Sequence, residues 1–414
     1  MSAPLTVGVA FGGVSPEHEV SVISALQAVE NLDRRKYRPV PVYIAKSGQW
    51  YTGAHLFDIE RYRDLDKVIR EAVPVHLEQA AGRGAALVEE RGGFLARPAR
   101  THLDVLFLGL HGGAGESGAL QGLCEVFGLP YTGSGLLGSA LGMDKIVSKM
   151  VCRQQGIPVV DWVWFRESDW TGREEEWLDR IEREVGYPAV VKPARLGSSI
   201  GISFASDRER LDAGIEEAFR YDEKVVVEVA VRQLREINCS VLGDVHEAAA
   251  SVLEEPVRTE GEELLTFAEK YQRGGSDGGP KGSPRPRRGK QGGGSEGMAS
   301  LDRIIPAPLS DAQTAEIRAL GVRIFQLFEC AGVARIDFMI DGATGQVYFN
   351  EINTIPGSFS FYLWEPTGVP FPDLLDRLIE GALKRHRADH GRIRSYETNL
   401  LSERSLSGMK GAKG

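Results

Sequence analysis

The chain has 414 residues, with 49 Lys+Arg against 58 Asp+Glu and a net charge of −9, a length that suggests two to four domains at ~100–200 residues each. Hydrophobic residues at 42% and charged residues at 26% are ordinary globular usage and exclude wholesale disorder; the acidic balance excludes a nucleic-acid binder that works by bulk positive charge. Glycine is in excess, at 49 residues against a usual share of ~7%, so the placing of glycine-rich loops becomes the next question.

Residues 5–11 (LTVGVAF) form a short apolar run ending at Gly12-Gly13, which predicts a buried strand entering a tight turn. Ser15-Pro16 reads as an N-cap followed by proline at the first helical position, and Val22, Ile23, Leu26 and Val29 recur at helical spacing. Residues 40–44 and 104–110 read as further strands, and this alternation predicts a parallel α/β sheet. A second unit begins near Gly133, with helices over 145–155 and 209–218 and a strand over 189–192. A third starts at 224–231 (KVVVEVAV), runs through 237–242, and resumes at 333–340 and 346–352, two strands joined by a turn that opens Asp-Gly. Residues 374–386 close the chain as an amphipathic helix, and no internal repeat is visible.

Residues 272–300 are rich in Gly, Ser, Pro, Arg and Lys and read as a flexible insertion, since they cannot bury enough apolar surface to order themselves. The tail from Gly391 reads as frayed. Cys124, Cys152, Cys239 and Cys330 are far apart with apolar neighbours, which predicts buried thiols in a reducing cytoplasm. The first residues carry no basic region, and no run approaches 18 apolar residues, so neither a signal peptide nor a membrane span is expected.

Arg335-Ile336-Asp337 and Asn350-Glu351-Ile352-Asn353 are the most informative cluster. Strand periodicity puts Glu351 and Asn353 on one face, and a hairpin would bring Asp337 opposite. The face is either an ordinary polar sheet surface or three oxygen ligands for a hard cation such as Mg²⁺. Apolar neighbours Phe338, Ile340, Phe349 and Ile352 favour the cation, because carboxylates among them are costly without a partner. In VVKPARLGSSIG, residues 190–201, a strand delivers Lys192 to a Gly-Ser-Ser loop that either simply turns the chain or aims N–H groups and hydroxyls at phosphate. GSGLLG at 133–138 matches a dinucleotide fingerprint, with Asp161 at a distance suited to a ribose, but no clean strand precedes it. Lys145 beside it is either a phosphate lysine or a solvated helix residue.

Together these segments resemble the D-alanine–D-alanine ligase family of the ATP-grasp superfamily. The resemblance spans roughly residues 5–385 and rests on FGGVSPEHEVS, HGGAGESGALQG, YTGSGLLGSALGMDKIVSK, VVKPARLGSSIG, REINCSVLG, AEKY, ARIDFMI and NEINTIPG in that order. It makes GSGLLG a loop of that family. It implies a Rossmann-like preATP-grasp domain over 1–133, then two α+β ATP-grasp lobes over 134–225 and 226–390, with ATP between the lobes and a tail over 391–414. It also implies two Mg²⁺ (or Mn²⁺) ions held by Asp337, Glu351 and Asn353, and phosphates held by Lys145, Lys192, Ser199 and Lys270. Glu228 and the Val229–Val231 backbone would meet adenine, and Glu236 the ribose. Glu17 would receive the first substrate's ammonium group, linked to Ser198 and Tyr271, with His111 nearby; Arg335 and Gly357 would hold the reacting carboxyl oxygen.

The implied reaction is D-Ala + D-Ala + ATP → D-Ala-D-Ala + ADP + phosphate through an acyl phosphate, for peptidoglycan, in a cytoplasmic homodimer that binds neither nucleic acid nor membrane. The rivals are a related ligase with another acceptor (an amino acid, a 2-hydroxy acid or a peptide) and a nucleotide-binding protein without catalysis. Three positions depart from the family pattern: Ser117 stands for an acid after HGGAGE, Leu196 for an acid before the Gly-Ser-Ser turn, and Tyr362 for the serine that holds the second substrate's carboxylate. The insertion after Tyr271 is longer than the family's loop.

Overall fold

The computed structural model describes residues 3–80, 84–90, 98–257 and 303–393. The insertion at 272–300, the tail beyond residue 393, Lys270 and Tyr271 lie outside the described residues. Three sheets follow one another along the chain.

The first sheet has β1 (Leu5–Gly12), β2 (Tyr37–Ile44), β3 (Trp50–Thr52), β4 (Val73–Gln79), β5 (Ala85–Glu89), β6 (Arg100–Leu103) and β7 (Val105–Leu108), in the order β6-β5-β4-β3-β2-β1-β7. β1 pairs in parallel with β2 and β7, as the alternation of strands and helices predicts. From β3 to β6 the sheet is antiparallel, an extension the pattern did not announce. β1 is the inner strand of the parallel part, and seven of its eight residues are buried.

Gly12 and Gly13, with φ of +87° and +97°, turn the chain at the carboxyl end of β1. A Cβ on Gly12 would lie 2.3 Å from the Ile44 carbonyl oxygen, so no other residue fits there. The following helix starts at His18, with Glu17 at the cap position and no side-chain cap. Ser15 and Pro16 therefore precede the helix and do not open it. The Ser15 hydroxyl accepts from the Glu17 N–H at 3.1 Å instead, and the turn aims Glu17 out of the sheet.

The second sheet comprises β8 (Trp162–Arg166), β9 (Ala189–Pro193), β10 (Ser203–Ala205) and β11 (Lys224–Val229), all antiparallel in the order β10-β9-β11-β8. The helices Glu174–Glu184 and Arg208–Phe219 cover it through Leu178, Ile181, Leu211 and Ile215. The third sheet comprises β12 (Arg235–Gly243), β13 (Ala248–Pro256), β14 (Arg303–Ile304), β15 (Gly332–Ile340) and β16 (Val347–Asn353), in the order β14-β13-β12-β15-β16. The helix Asp311–Leu327 packs Ile317, Ile324 and Phe325 against it. The closing helix Phe371–His390 returns to the first sheet, where Leu374, Leu375 and Leu378 share a core with Val7 and Phe107.

All four cysteines are free and buried, and burial pushes each thiol up to about 12. They are inert packing residues. No strand precedes GSGLLG: a helix, Ala119–Phe127, comes first, and Tyr131 makes only an isolated bridge to Leu106. Asp161 is paired with Arg153 at 2.8 Å and its side chain is 75% exposed, so the dinucleotide reading has no structural support.

Candidate active site

One cleft gathers residues from all three sheets. It is lined by Glu17, His111 and Glu116 from the first unit, Lys192, Ser198, Ser199, Glu228, Val229 and Val231 from the second, and Glu236, Arg335, Asp337, Glu351, Asn353 and Gly357 from the third. These are residues the sequence singled out, Glu116 excepted. Lys145 touches Glu351, one of the cleft residues.

The β15–β16 hairpin supplies the floor. Asp337 lies directly across from Glu351 and Arg335 from Asn353, so the four side chains share a face. A bulge follows Asp337 and leaves Asn350 as the extra residue. Its side-chain oxygen accepts from Lys192 at 3.1 Å and its carbonyl from Lys149 at 2.9 Å. Arg335 chelates Asp337 through two bonds of 2.7 Å, and Asn353 donates to the same carboxylate at 3.1 Å. Burial opposes the charge on Arg335, but the Asp337 carboxylate outweighs it and keeps the guanidinium charged.

The second wall carries a buried ion triad. Lys192 lies 2.8 Å from Glu228, and Lys149, its side chain wholly buried, lies 3.1 Å from the other oxygen. Burial would lower the Lys192 ammonium, yet Glu228 more than compensates and holds it above the ordinary lysine value. Burial would raise the Glu228 carboxyl, and the two lysines hold it down. Lys149, which the sequence reading passed over, is pulled below its ordinary value by burial. Lys145 lies 3.0 Å from Glu351 and also donates to the Leu196 carbonyl.

The loop after β9 and the turn after β1 meet. Ser198 and Ser199 take left-handed φ values of 53° and 58°, and the Ser198 hydroxyl donates to the Glu17 carboxylate. Glycines allow the close approach: a Cβ on Gly112 would lie 2.5 Å from a Glu17 oxygen, and one on Gly197 would lie 3.1 Å from both. His111 leaves the carboxyl end of β7. Its Nδ1 donates to the Ile355 carbonyl at 2.8 Å, which leaves Nε2 to accept from the Ser24 hydroxyl at 2.8 Å. Burial lowers this histidine to about 4, so it is neutral.

Glu116 is the residue that sequence reasoning left without a role. One of its oxygens accepts the Gly112 N–H at 2.7 Å and the other the Ile355 N–H at 3.0 Å. It thus ties the loop after β7 to the segment that follows β16. Burial, reinforced by the nearby Glu17, raises its carboxyl to about 8. Two acidic side chains facing one space suit a cationic ligand. The signal was present in HGGAGE, where a glutamate follows glycine at the end of a buried strand.

Tyr362 differs from its expected position. It does not line the cleft; its hydroxyl donates to Glu254 at 3.1 Å and its ring stacks beneath the Arg303 guanidinium at 4.0 Å. Glu254 and Arg303 line the cleft in its place. Gly357 borders the cleft as expected, and Ser358, Phe359 and Ser360 after it all take left-handed φ near 50°.

The family model described as D-ala D-ala ligase N-terminus matches residues 6–134, and that described as D-ala D-ala ligase C-terminus matches 151–279 and 296–380. The chain is 36% identical over 397 residues to a D-alanine–D-alanine ligase of Thermosipho melanesiensis, covering 96% of this chain and 98% of that one. Its fold is similar to the D-alanine-D-alanine ligase of Coxiella burnetii, with a TM-score of 0.75 and 31% identity over 98% of this chain and all of that one. It is also similar to the VanG D-Ala:D-Ser ligase of Enterococcus faecalis, with a TM-score of 0.72 and 29% identity over 92% and 99% of the two chains.

Proposed function

The chain belongs to the D-alanine–D-alanine ligase family, and from that premise we propose that it joins two D-alanines with ATP through an acyl phosphate, supplying the dipeptide of peptidoglycan. The observation that carries the reading is the convergence, in one cleft, of the Glu17–Ser198 pair, the Lys192–Glu228 pair and the Arg335-Asp337-Glu351-Asn353 face.

In this reading the nucleotide lies along Glu228, Val229 and Val231, with Glu236 toward the ribose and Lys145, Lys192 and Ser199 toward the phosphates. Lys192 leaves Glu228 for a phosphate oxygen, and Lys149 keeps the carboxylate neutralised. Asp337, Glu351 and Asn353 fit a hard divalent cation by their donor set, two carboxylates and an amide oxygen. The Asn353 amide oxygen and the phosphate oxygens would complete the set. Bound Mg²⁺ or Mn²⁺ supplies charge neutralisation for the phosphoryl group in transfer.

Glu17, oriented by Ser198 and backed by Glu116, holds the first D-alanine's ammonium group. His111, neutral and fixed by Ile355 and Ser24, shapes the same side. The donor carboxylate takes the γ-phosphoryl group and ADP departs. The second D-alanine, its amine deprotonated, attacks the acyl carbon. The carbon–oxygen bond to phosphate breaks and inorganic phosphate leaves. Arg335 and the Gly357 N–H stabilise the oxyanion between those events.

The expected start of a third unit at 224–231 is corrected by β11 (Lys224–Val229), which pairs with β8 and β9 of the second sheet. We further propose domain boundaries near 133 and just after β11 in place of 225, a homodimer, and a cytoplasmic site of action. Among the described residues no helix is long and apolar enough to cross a membrane. The test is the stoichiometry of ATP turnover with D-amino acids offered singly and in pairs. D-alanine alone is expected to give ADP, phosphate and D-Ala-D-Ala in equal amounts. A requirement for a different second substrate would favour the reading with another acceptor, for which the Tyr362 substitution is the supporting observation.

A further inference from the structure

The reaction proposed above consumes one carboxylate and keeps another. The donor's carboxylate is phosphorylated, whereas the acceptor's stays free and charged. A buried carboxylate needs a cation or several donors to replace its water. Three cationic side chains line the cleft among the described residues: Lys192, Arg335 and Arg303. Lys192 lies among Glu228, Glu236 and Glu351, on the side read as the nucleotide's. Arg335 is chelated by Asp337 on the hairpin floor. Arg303 is on a different wall, beside Tyr362 and Glu254, and the fields of both those residues reach Arg335.

That wall is built from three elements. Glu254 lies near the end of β13, Arg303 opens β14, and Tyr362 stands on the short helix Phe361–Trp364. One oxygen of Glu254 accepts from Asn238 at 2.9 Å and from Tyr362 at 3.1 Å, and the other accepts from Arg303 at 2.8 Å. The Glu254 side chain is 2% exposed, so its charge is committed to these donors. The Arg303 guanidinium lies over the Tyr362 ring, 4.0 Å from its centroid, with its side chain 9% exposed. A cation stacked on an aromatic face and held by a carboxylate behind it is fixed in direction. Its Nη1 donates to Glu254, and a guanidinium presents its N–H groups in a planar fork whose shape matches a carboxylate.

We propose that Arg303 recognises the acceptor's carboxylate, with Glu254 and the Tyr362 ring as its positioning residues. The proposal rests on the ligase reading above. Tyr362 then takes the serine's position without its task, because its hydroxyl is committed to Glu254. The acceptor class that fits is an α-amino acid with a free carboxylate, in preference to a neutral amide or ester of the same size.

Competition between two acceptors in one reaction tests this. The full chain is given ATP, D-alanine and D-alaninamide, and the products D-Ala-D-Ala and D-Ala-D-alaninamide are counted by mass spectrometry. Both products share donor and nucleotide, so their ratio reads acceptor selection alone. The wild type is expected to favour the free acid, and Arg303→Met to shift the ratio toward the amide by ~10-fold or more. A Met variant that lowers both products alike, at an unchanged ratio, would reduce Arg303 to a structural anchor of β14 and overturn the proposal. Arg303→Lys keeps the charge without the fork and is expected to give an intermediate ratio; a ratio equal to the wild type's would count against the proposal even where the Met variant fails to fold. A wild type that forms neither product would overturn the ligase reading itself, which separates the two failures.

Discussion

Glu17 and Glu116 reach the cleft from the carboxyl ends of neighbouring parallel strands, through short turns whose glycines leave no room for a Cβ. Glu254, Arg303 and Tyr362 meet from positions 49 and 108 residues apart, on a strand end, a two-residue strand and a single helical turn. On the first side, backbone geometry places the functional atoms, and the Glu116 carboxylate is held by N–H groups. On the second, side chains hold one another in a closed set of hydrogen bonds and a stack. A site of the first kind tolerates little substitution in its loops, because the loops are the site. A site of the second kind can change its selectivity through two or three compensating side chains, with the sheet beneath unaltered.

Removing the group that both sides share should have the largest effect. Arg335→Met is expected to lower kcat by ~10²–10³ for every acceptor alike; a variant that lost activity with one acceptor only would shift Arg335 to the acceptor wall. On the donor side, His111 offers a pH test. Its folded-state value of about 4 lies below the ordinary 6.5, so between those values the unfolded chain binds the proton and the folded chain does not. Stability from this group is complete above pH ~6.5, falls as pH drops toward ~4, and amounts to at most about 3 kcal/mol. His111→Asn should flatten that acid limb in denaturant titrations, and an unchanged slope would mean that other groups produce it. The smallest effect belongs to the acceptor wall: Tyr362→Phe deletes one hydrogen bond to Glu254 and keeps the ring. It should cost about 1 kcal/mol, read as a several-fold rise in acceptor KM with donor and ATP constants unmoved. A change in the ATP constant instead would mean that the two walls are not separate.

The sequence was legible where function and local pattern coincide. Asp337, Glu351 and Asn353 alternate on apolar strands, so their shared face follows from strand periodicity, although the bulge that turns Asn350 toward Lys192 has no local signature. β1, β9, β11 and β15 are apolar runs bounded by turns and read directly. β13 did not: AAASVLEEP is alanine- and glutamate-rich, a composition that favours helix, and pairing with β12 overrides it. The antiparallel strands β3 to β6 are short and take their stability from neighbours in the sheet. Lys149 reads as one more lysine on an amphipathic helix until Glu228 and the Asn350 carbonyl surround it. The acceptor wall was legible only as a departure: the tyrosine at 362 was visible, but its partnership with Arg303 and Glu254 depends on packing between distant segments.

In the proposed reaction this cleft activates a carboxylate as an acyl phosphate before an amine attacks it. The measurement that bears on it most directly follows the carboxylate's own oxygen. With D-alanine carrying heavy oxygen in its carboxyl group, each phosphate released with a dipeptide should contain one heavy oxygen atom, because the donor's oxygen bridges carbon and phosphorus and leaves with phosphorus. Dipeptide formed together with unlabelled phosphate would contradict it.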